Sequence, residues 1–476
     1  MGLNDLQLFI PELFMFLTAM VFFAQSLWGS SVVINHRLAI VLSASTVIVS
    51  LLFLNHSGEI FYQAYRVDLF SQCFKVLISL GLFLVILLGR ELKSVEDHLH
   101  PEYFMFLCLS SLGLMLMASS VELVTIFVSM ELSSYALYIT IPLRKRIFAN
   151  QMEGAIKYII FGAANTGIML FGMSYLFGIA QTTYLAEMIQ KMPQLMTQPL
   201  GVAGIVLVLS GFFFKLAVVP FHFWTPDVYQ GAANETTSFI TSLPKLAGLA
   251  LLIRMVNMAG MTGQEIVRLL VFLAAVSMTF GNLVALVQKD VKRLLAYSSI
   301  AHAGYVLLGV LSLSINGYAA ALYHITAYLL MNMACFLVIC LVSREGEDVA
   351  VSDLSGLYRR SPMLAFTLAV GAFAMAGIPP TAGFTGKLFL FTAALNEGHL
   401  ALVVIAAVNT AISIFFYLNL VRSAYGQDPG DLPVIPPLSK PIQVLSVALS
   451  AAIVLLGALP SYFIDLAKLA CKNLII

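Results

Sequence analysis

The chain has 476 residues, of which 60% are hydrophobic and 10% charged, against roughly 25% charged in soluble domains. With a mean hydropathy of +0.94 and a formal net charge of +1, this composition excludes a water-soluble globule and offers no basic surface for nucleic acid. It specifies a polytopic membrane protein, and the five cysteines (Cys73, Cys108, Cys335, Cys340 and Cys471) form no C-x-x-C pair and read as small helix-packing residues.

The chain opens "MGLNDLQLFIPELFMFLTAM", without a basic leading stretch or an early small-residue cleavage site. The first apolar stretch therefore reads as a retained span, not a signal peptide. Windows of about 19 residues predict apolar segments at 7–28, 38–54, 68–89, 103–120, 122–141, 154–178, 200–229, 234–257, 266–287, 298–315, 318–342, 362–396, 399–425 and 441–464. The expectation is an all-α polytopic fold of about fourteen transmembrane helices. Segments 200–229 and 362–396 are too long for one straight span and carry prolines near the middle, Pro220 in the seventh and Pro379 and Pro380 in the twelfth. Both read as broken helices, with Pro220 and Pro380 near the start of each second half, where a missing N–H matters least.

Basic residues set the orientation. Arg37, Arg90, Lys93, Arg144, Lys145, Arg146, Lys289, Lys292, Arg293, Arg344, Arg359, Arg360 and Lys440 fall in loops after odd-numbered spans, whereas the alternate loops carry chiefly Arg66 and Lys191. The positive-inside tendency then puts the odd loops inside and both termini on the opposite face. Spans four to eight and nine to thirteen each make a five-helix group with its broken helix fourth, the organisation of inverted-repeat transporters. The expected divisions are 1–102 (spans one to three), 103–260 (first repeat), 261–426 (second repeat) and 427–476 (last span).

Four charges lie mid-span: Glu131 in "FVSMELSSYAL", Lys215 in "GFFFKLAVVPFHFW", Lys245 in "TSLPKLAGL" and Lys387 in "GFTGKLFLF". A charge at the bilayer centre costs about 2.5–3.5 kcal/mol on insertion scales, so these side chains should face protein or water. Helical spacing agrees. Asn234, Ser238, Thr241 and Lys245 make one polar stripe, Glu131, Ser134, Tyr135 and Tyr138 a second, Ser298, His302 and Tyr305 a third, and His324, Tyr328 and Asn332 a fourth. Set face to face, the stripes would form a buried polar path. A carboxylate approaching or leaving a desolvated lysine makes that lysine gain or release a proton, so Glu131 with Lys215 would be a switchable proton-loading site. The blander readings are a structural ion pair for Glu131 with Lys215, the same for Lys245, and satisfied core residues for His302 and His324. His222 reads as structural beside Trp224, Glu12 as an anchor near the membrane surface, and Lys75 and Lys157 as snorkelling or paired.

At "GFFFKLAVVPFHFWTPDVYQGA" (211–232), "RLLAYSSIAHAGY" (293–305) and "AMAGIPPTAGFTGKLFLF" (374–391) the chain resembles the antiporter-like subunit N of respiratory complex I, the NADH:quinone oxidoreductase. The resemblance covers essentially the whole chain and is strongest over about 120–400. It implies fourteen helices with two inverted five-helix repeats, and a proton-translocating membrane-arm subunit in a respiratory electron-transport chain. It implies no cofactor in this chain; NADH, FMN, iron–sulfur clusters and quinone would be used by other subunits. The partners implied are neighbouring antiporter-like and small membrane subunits in the lipid bilayer of a bacterial plasma membrane, with both termini periplasmic. The family's functional residues fall on Glu131, Lys215, Lys245, His302 and Lys387, and more loosely on His324. One departure stands out. After "YQGA" the family continues with a proline-threonine-proline stretch, whereas this chain reads "ANETTSFITSLPKLAG", adding Glu235 and Pro244 near Lys245.

Two competing functions follow from the same residues. A stand-alone cation/proton antiporter would exchange sodium or potassium for protons when the purified chain is placed in liposomes. An electron carrier with His302 and His324 as haem ligands would show a Soret band.

Overall fold

The computed structural model describes residues 3–29, 31–89, 92–145, 150–259, 264–427, 435–472 and 474; Arg90 and Arg146 lie outside them. In chain order the α-helices are α1 (Leu3–Leu8), α2 (Ile10–Trp28), α3 (Val32–Leu52), α4 (Leu69–Leu88), α5 (His100–Ser119), α6 (Leu123–Thr140), α7 (Asn150–Ala180), α8 (Leu185–Thr197), α9 (Pro199–Leu216) and α10 (Thr225–Gly231). They continue as α11 (Asn234–Ala259), α12 (Gln264–Ala285), α13 (Val291–Val310), α14 (Ile315–Val342), α15 (Leu357–Arg360), α16 (Pro362–Ala376), α17 (Ala382–Asn396), α18 (Leu400–Ala424), α19 (Lys440–Ala458) and α20 (Ser461–Lys472). Among the described residues twelve helices are long and apolar enough to cross a membrane. α13 falls outside that group because Lys292 and Arg293 occupy its first turn, and the α16–α17 pair because it is interrupted.

Several helices begin earlier than their apolar windows, since capping is done by polar residues that hydropathy ignores. Ser31 accepts the N–H of Ile34 (3.3 Å) and starts α3 at Val32, so Arg37 rides on the helix and not in a loop. Asp290 accepts the N–H of Arg293 (2.8 Å) and starts α13 at Val291, which likewise moves Lys292 and Arg293 from the expected loop onto a helix. Lys191 sits on α8. That helix, α20 and the antiparallel ribbon of β1 (Gly58–Ile60) with β2 (Tyr65–Val67) went unforeseen, because amphipathic or short segments never fill an apolar window.

Both long segments are broken as expected, with one correction. Ala217 adopts a left-handed conformation that ends α9, and the chain runs non-helically to Trp224 before α10 starts at Thr225. Pro220 therefore lies inside the break; Pro226 is the proline in the first turn of the second half. In the twelfth segment Gly377, at φ 87°, ends α16, and Pro379 and Pro380 precede α17.

Burial is distributed unevenly. The apolar window of α11 is enclosed over its whole length and that of α14 nearly so, whereas α3, α7, α18 and α19 turn most of their surface outward. α4, α5, α9, α13 and α14 surround α11. The lysine of α11 and the histidine of α14 are thus shielded by surrounding helices, whereas α17, which carries Lys387, turns Phe384, Leu388 and Leu395 outward.

Candidate functional site

Glu131 projects from α6 and is buried, its Oε1 accepting the hydroxyl of Thr166 on α7 at 2.7 Å. Lys215 lies one residue before the end of α9, also buried, and its Nζ makes no hydrogen bond or ion pair with a described residue. The charge of Glu131 acts on it across the intervening space. Two of the α9 carbonyls at the break are occupied: Val218 N–H donates to Phe213 O (2.9 Å), and Ala217 N–H (3.1 Å) and Trp224 Nε1 (3.3 Å) donate to Phe214 O. Gly248 lets α11 approach, since a Cβ there would stand 3.2 Å from Lys215 Cβ.

The other four candidates form a contiguous chain. Lys245 Nζ donates to the Ser299 carbonyl at 2.9 Å and lies 5.7 Å from the ring centre of Tyr328, within cation–π range. Tyr328 packs against His302, ring centres 5.0 Å apart. His302 Nδ1 and His324 Nε2 are 3.2 Å apart, so one donates and the other accepts. Gly386, one residue before Lys387, lies so close to His324 that a Cβ would come within 2.8 Å of Nδ1. Lys387 closes the series. Its Nζ donates to the carbonyls of Met375 (3.0 Å) and Ala376 (3.1 Å), the last of α16, and sits 4.8 Å from the centre of the Tyr305 ring. An ammonium on those carbonyls is held by the negative end of the half-helix dipole, and Gly377 leaves it room, a Cβ there falling 3.4 Å from Nζ.

The expected stripes need amendment. Ser298, His302 and Tyr305 are buried together, as are His324, Tyr328 and Asn332. Tyr135 stands on the outward stripe of α6 with Val124, Val128 and Ile139 and is 58% exposed, while its hydroxyl still reaches the Glu131 carboxylate. α11 runs unbroken through Pro244. His222 is buried in the α9–α10 break, its ring centre 4.6 Å from that of Phe223 and 4.7 Å from that of Phe280. Lys157 is paired, to Glu153 and Asp227, each at 2.6 Å.

Three features were not foreseen. Tyr417 of α18 bridges the tenth span, its hydroxyl meeting His302 Nε2 at 3.2 Å and also Ser298 Oγ. A basic-end network joins Asp348 Oδ1 to Lys292 (2.7 Å) and Arg144 (2.9 Å), and Asp227 Oδ1 to Arg293 (2.7 Å). Finally, Glu12 is no surface anchor. Its Oε1 meets Lys75 Nζ at 2.6 Å and the Tyr65 hydroxyl at 2.6 Å, with both charged side chains fully buried beneath the β-ribbon. The usable signal was two opposite charges inside the first and third apolar spans. Removing one partner strands the other, a loss of about 3–5 kcal/mol. Lys75→Ala is therefore expected to lower the thermal midpoint and yield of the assembled protein, and Glu12→Leu with Lys75→Met to recover much of both.

The geometry resembles that of known membrane proteins along its whole length. Residues 120–413 match the NADH:quinone oxidoreductase/Mrp antiporter transmembrane family. NADH-quinone oxidoreductase subunit N 2 of Opitutus terrae is 46% identical over 459 residues, 96% of each chain. Its namesake in Syntrophobacter fumaroxidans is 44% identical over 469 residues, 98% of this chain and 99% of that one. A chain of respiratory complex I from Thermus thermophilus with bound aureothin superposes with a TM-score of 0.83 at 30% identity, covering 96% of this chain and 99% of its own. A chain of the Mrp complex from a Dietzia species reaches a TM-score of 0.87 at 19% identity, covering 100% of this chain and 98% of its own, a likeness of fold. On the family match and on full-length identity well above 30%, this chain belongs to the antiporter-like N subunits of NADH:quinone oxidoreductase.

Proposed function

We propose that Glu131, Lys215, Lys245, His302, His324 and Lys387 are the titratable stations along which this membrane-arm, proton-translocating subunit moves protons. The observation that carries the reading is the unbroken run from Lys245 through Tyr328 and His302 to His324, ending beside Lys387 at the second helix break. Each member can bind or pass a proton, and each is buried among protein groups. Protonation of one lysine repels a proton from the next, so charge is handed along the row. Glu131 and Lys215 form the variable end: their separation in this structure is the state in which the lysine stands without its counter-ion.

On this reading spans 103–260 and 261–426 are two inverted five-helix units, preceded by 1–102 and followed by 427–476, and the basic end carrying Lys292, Arg293 and Arg144 is cytoplasmic with both termini periplasmic. The chain does no redox chemistry; NADH, FMN, iron–sulfur clusters and quinone work in partner subunits, and the coupling is conformational and electrostatic.

The test uses the whole complex in liposomes. Lys245→Ala is expected to depress NADH-driven proton uptake by about two orders of magnitude or more, the size of a lost proton-transfer group. Wild-type uptake by that variant would sink the reading.

A further inference from the structure

We infer that Glu235 is the carboxylate that collects protons at the basic end of the bundle and feeds them to Lys245, an inference that rests on the function proposed above. Glu235 lies in the stretch "ANETTSFITSLPKLAG" that leads to Lys245. It occupies the first turn of α11 and is buried, although it sits at the loop end of the helix. A cavity with room for about 20 Å³ of water, enough for one molecule, lies against it, lined also by Lys93, Leu88, Leu337, Cys340 and Ile442.

From the carboxylate a column of polar groups leads inward. At 100° per residue Glu235, Ser238, Ser242 and Lys245 fall within about 80° of one another on α11, and ten residues of helix span about 15 Å. Ser238 Oγ donates to the Glu235 carbonyl (2.7 Å) and Thr241 Oγ1 to the Ser238 carbonyl (2.9 Å). Thr241 and Ser242 share a contact at 3.3 Å, and Asn332 Nδ2 donates to Ser242 Oγ at 2.7 Å. Asn332 heads the α14 stripe that continues through Tyr328 to His324, and its buried Oδ1 has no hydrogen-bond partner among the described residues. The column thus lines the face of α11 between Glu235 and Lys245, its Ser238 and Thr241 hydroxyls anchored on backbone carbonyls and Asn332 of α14 reaching it from the side, so water has to bridge the steps between its members.

The groups facing Glu235 suit a proton acceptor. Ser94 Oγ, in the segment between α4 and α5, donates to Oε2 at 3.4 Å. The charges of Lys292 and Arg144 act on it, while both are shared with Asp348. Lys93 lines its cavity, and the neutral Tyr103 and Cys340 complete its surroundings. In the step proposed, the carboxylate takes H⁺ from water at the basic end and becomes a carboxylic acid. It then releases H⁺ through the hydroxyl column, with bridging water, to the neutral amine of Lys245. The carboxylate and an ammonium result, and no electrons move.

The experiment measures NADH-driven proton uptake by the assembled complex in liposomes between pH 6 and pH 9 on the basic side. Glu235→Gln, equal in size, is expected to slow uptake by on the order of tenfold at the alkaline end, where protons are scarce, and less at the acid end. Glu235→Asp should retain most of the rate. An unchanged rate and pH profile in Glu235→Gln, alongside an inactive Lys245→Ala, would overturn this inference and leave the function standing; wild-type uptake by both variants would overturn the two together. Should the glutamine variant fail to assemble, an assembled Glu235→Asp that has lost uptake across the whole pH range overturns it as well.

Discussion

Lys215→Ala in the assembled complex is expected to lower NADH-driven proton uptake by about two orders of magnitude or more while leaving assembly and expression near wild type. Both halves follow from the geometry. The amine makes no hydrogen bond or ion pair with a described residue, so its removal strands no buried carboxylate. Glu131 keeps the Thr166 hydroxyl, and the α9 carbonyls keep their backbone and Trp224 donors. What is lost is the lysine amine at the first helix break. Glu131→Gln, which preserves shape and the contact with Thr166, should depress uptake similarly. A variant without Lys215 that pumps fully at normal expression would take this lysine out of the mechanism, and a silent Glu131→Gln would make the pair structural.

Asp348→Ala is expected to fail in the opposite way, through stability. Its carboxylate is shared by Lys292 and Arg144, whose side chains are fully buried. Both cations also hold carbonyls that end α10: Lys292 donates to Gln230 (2.9 Å) and Ala232 (3.0 Å), and Arg144 to Gln230 (2.8 Å) and Gly231 (3.3 Å). Deleting the shared anion leaves two desolvated positive charges side by side. Breaking a buried pair typically removes about 3–5 kcal/mol, and the lower end applies here because water still screens part of the aspartate. The measurement is the yield and thermal midpoint of the detergent-solubilised protein. Adding Lys292→Met should restore part of the loss, because the repulsion between the two cations goes with it; no change in either variant would show the network to be dispensable.

The broken helices were legible because span length and proline are both local properties of the chain. The enclosed lysines were legible because an isolated charge in an apolar run has few places to go. Helical spacing also put His302 and Tyr305, and His324 and Tyr328, on common faces, which the packing of α13 against α14 brings together. Other features depended on neighbours. Tyr135 reaches Glu131 yet stands on the outward face of α6, an exposure that spacing alone does not show, and Tyr417 has no partner nearby in sequence. Glu12 beside Pro11 suggests a helix end at the membrane surface; only the ribbon and α4 folded over it reveal a buried pair. The early starts of α3 and α13 escaped hydropathy because Ser31 and Asp290, which set them, are polar.

The enclosure of α11 bears on how the protein is made. The half of this helix nearest the basic end carries Asn234, Glu235, Thr236, Thr237, Ser238, Thr241, Ser242 and Lys245, all buried among protein groups. As a solitary segment leaving the translocation machinery, that half would be a poor match for hydrocarbon. It gains a hospitable environment only when α4, α5 and α9, synthesised before it, and α13 and α14, synthesised after it, close around it. Biogenesis therefore has to hold a reluctant segment in or beside the bilayer until its later neighbours emerge from the ribosome.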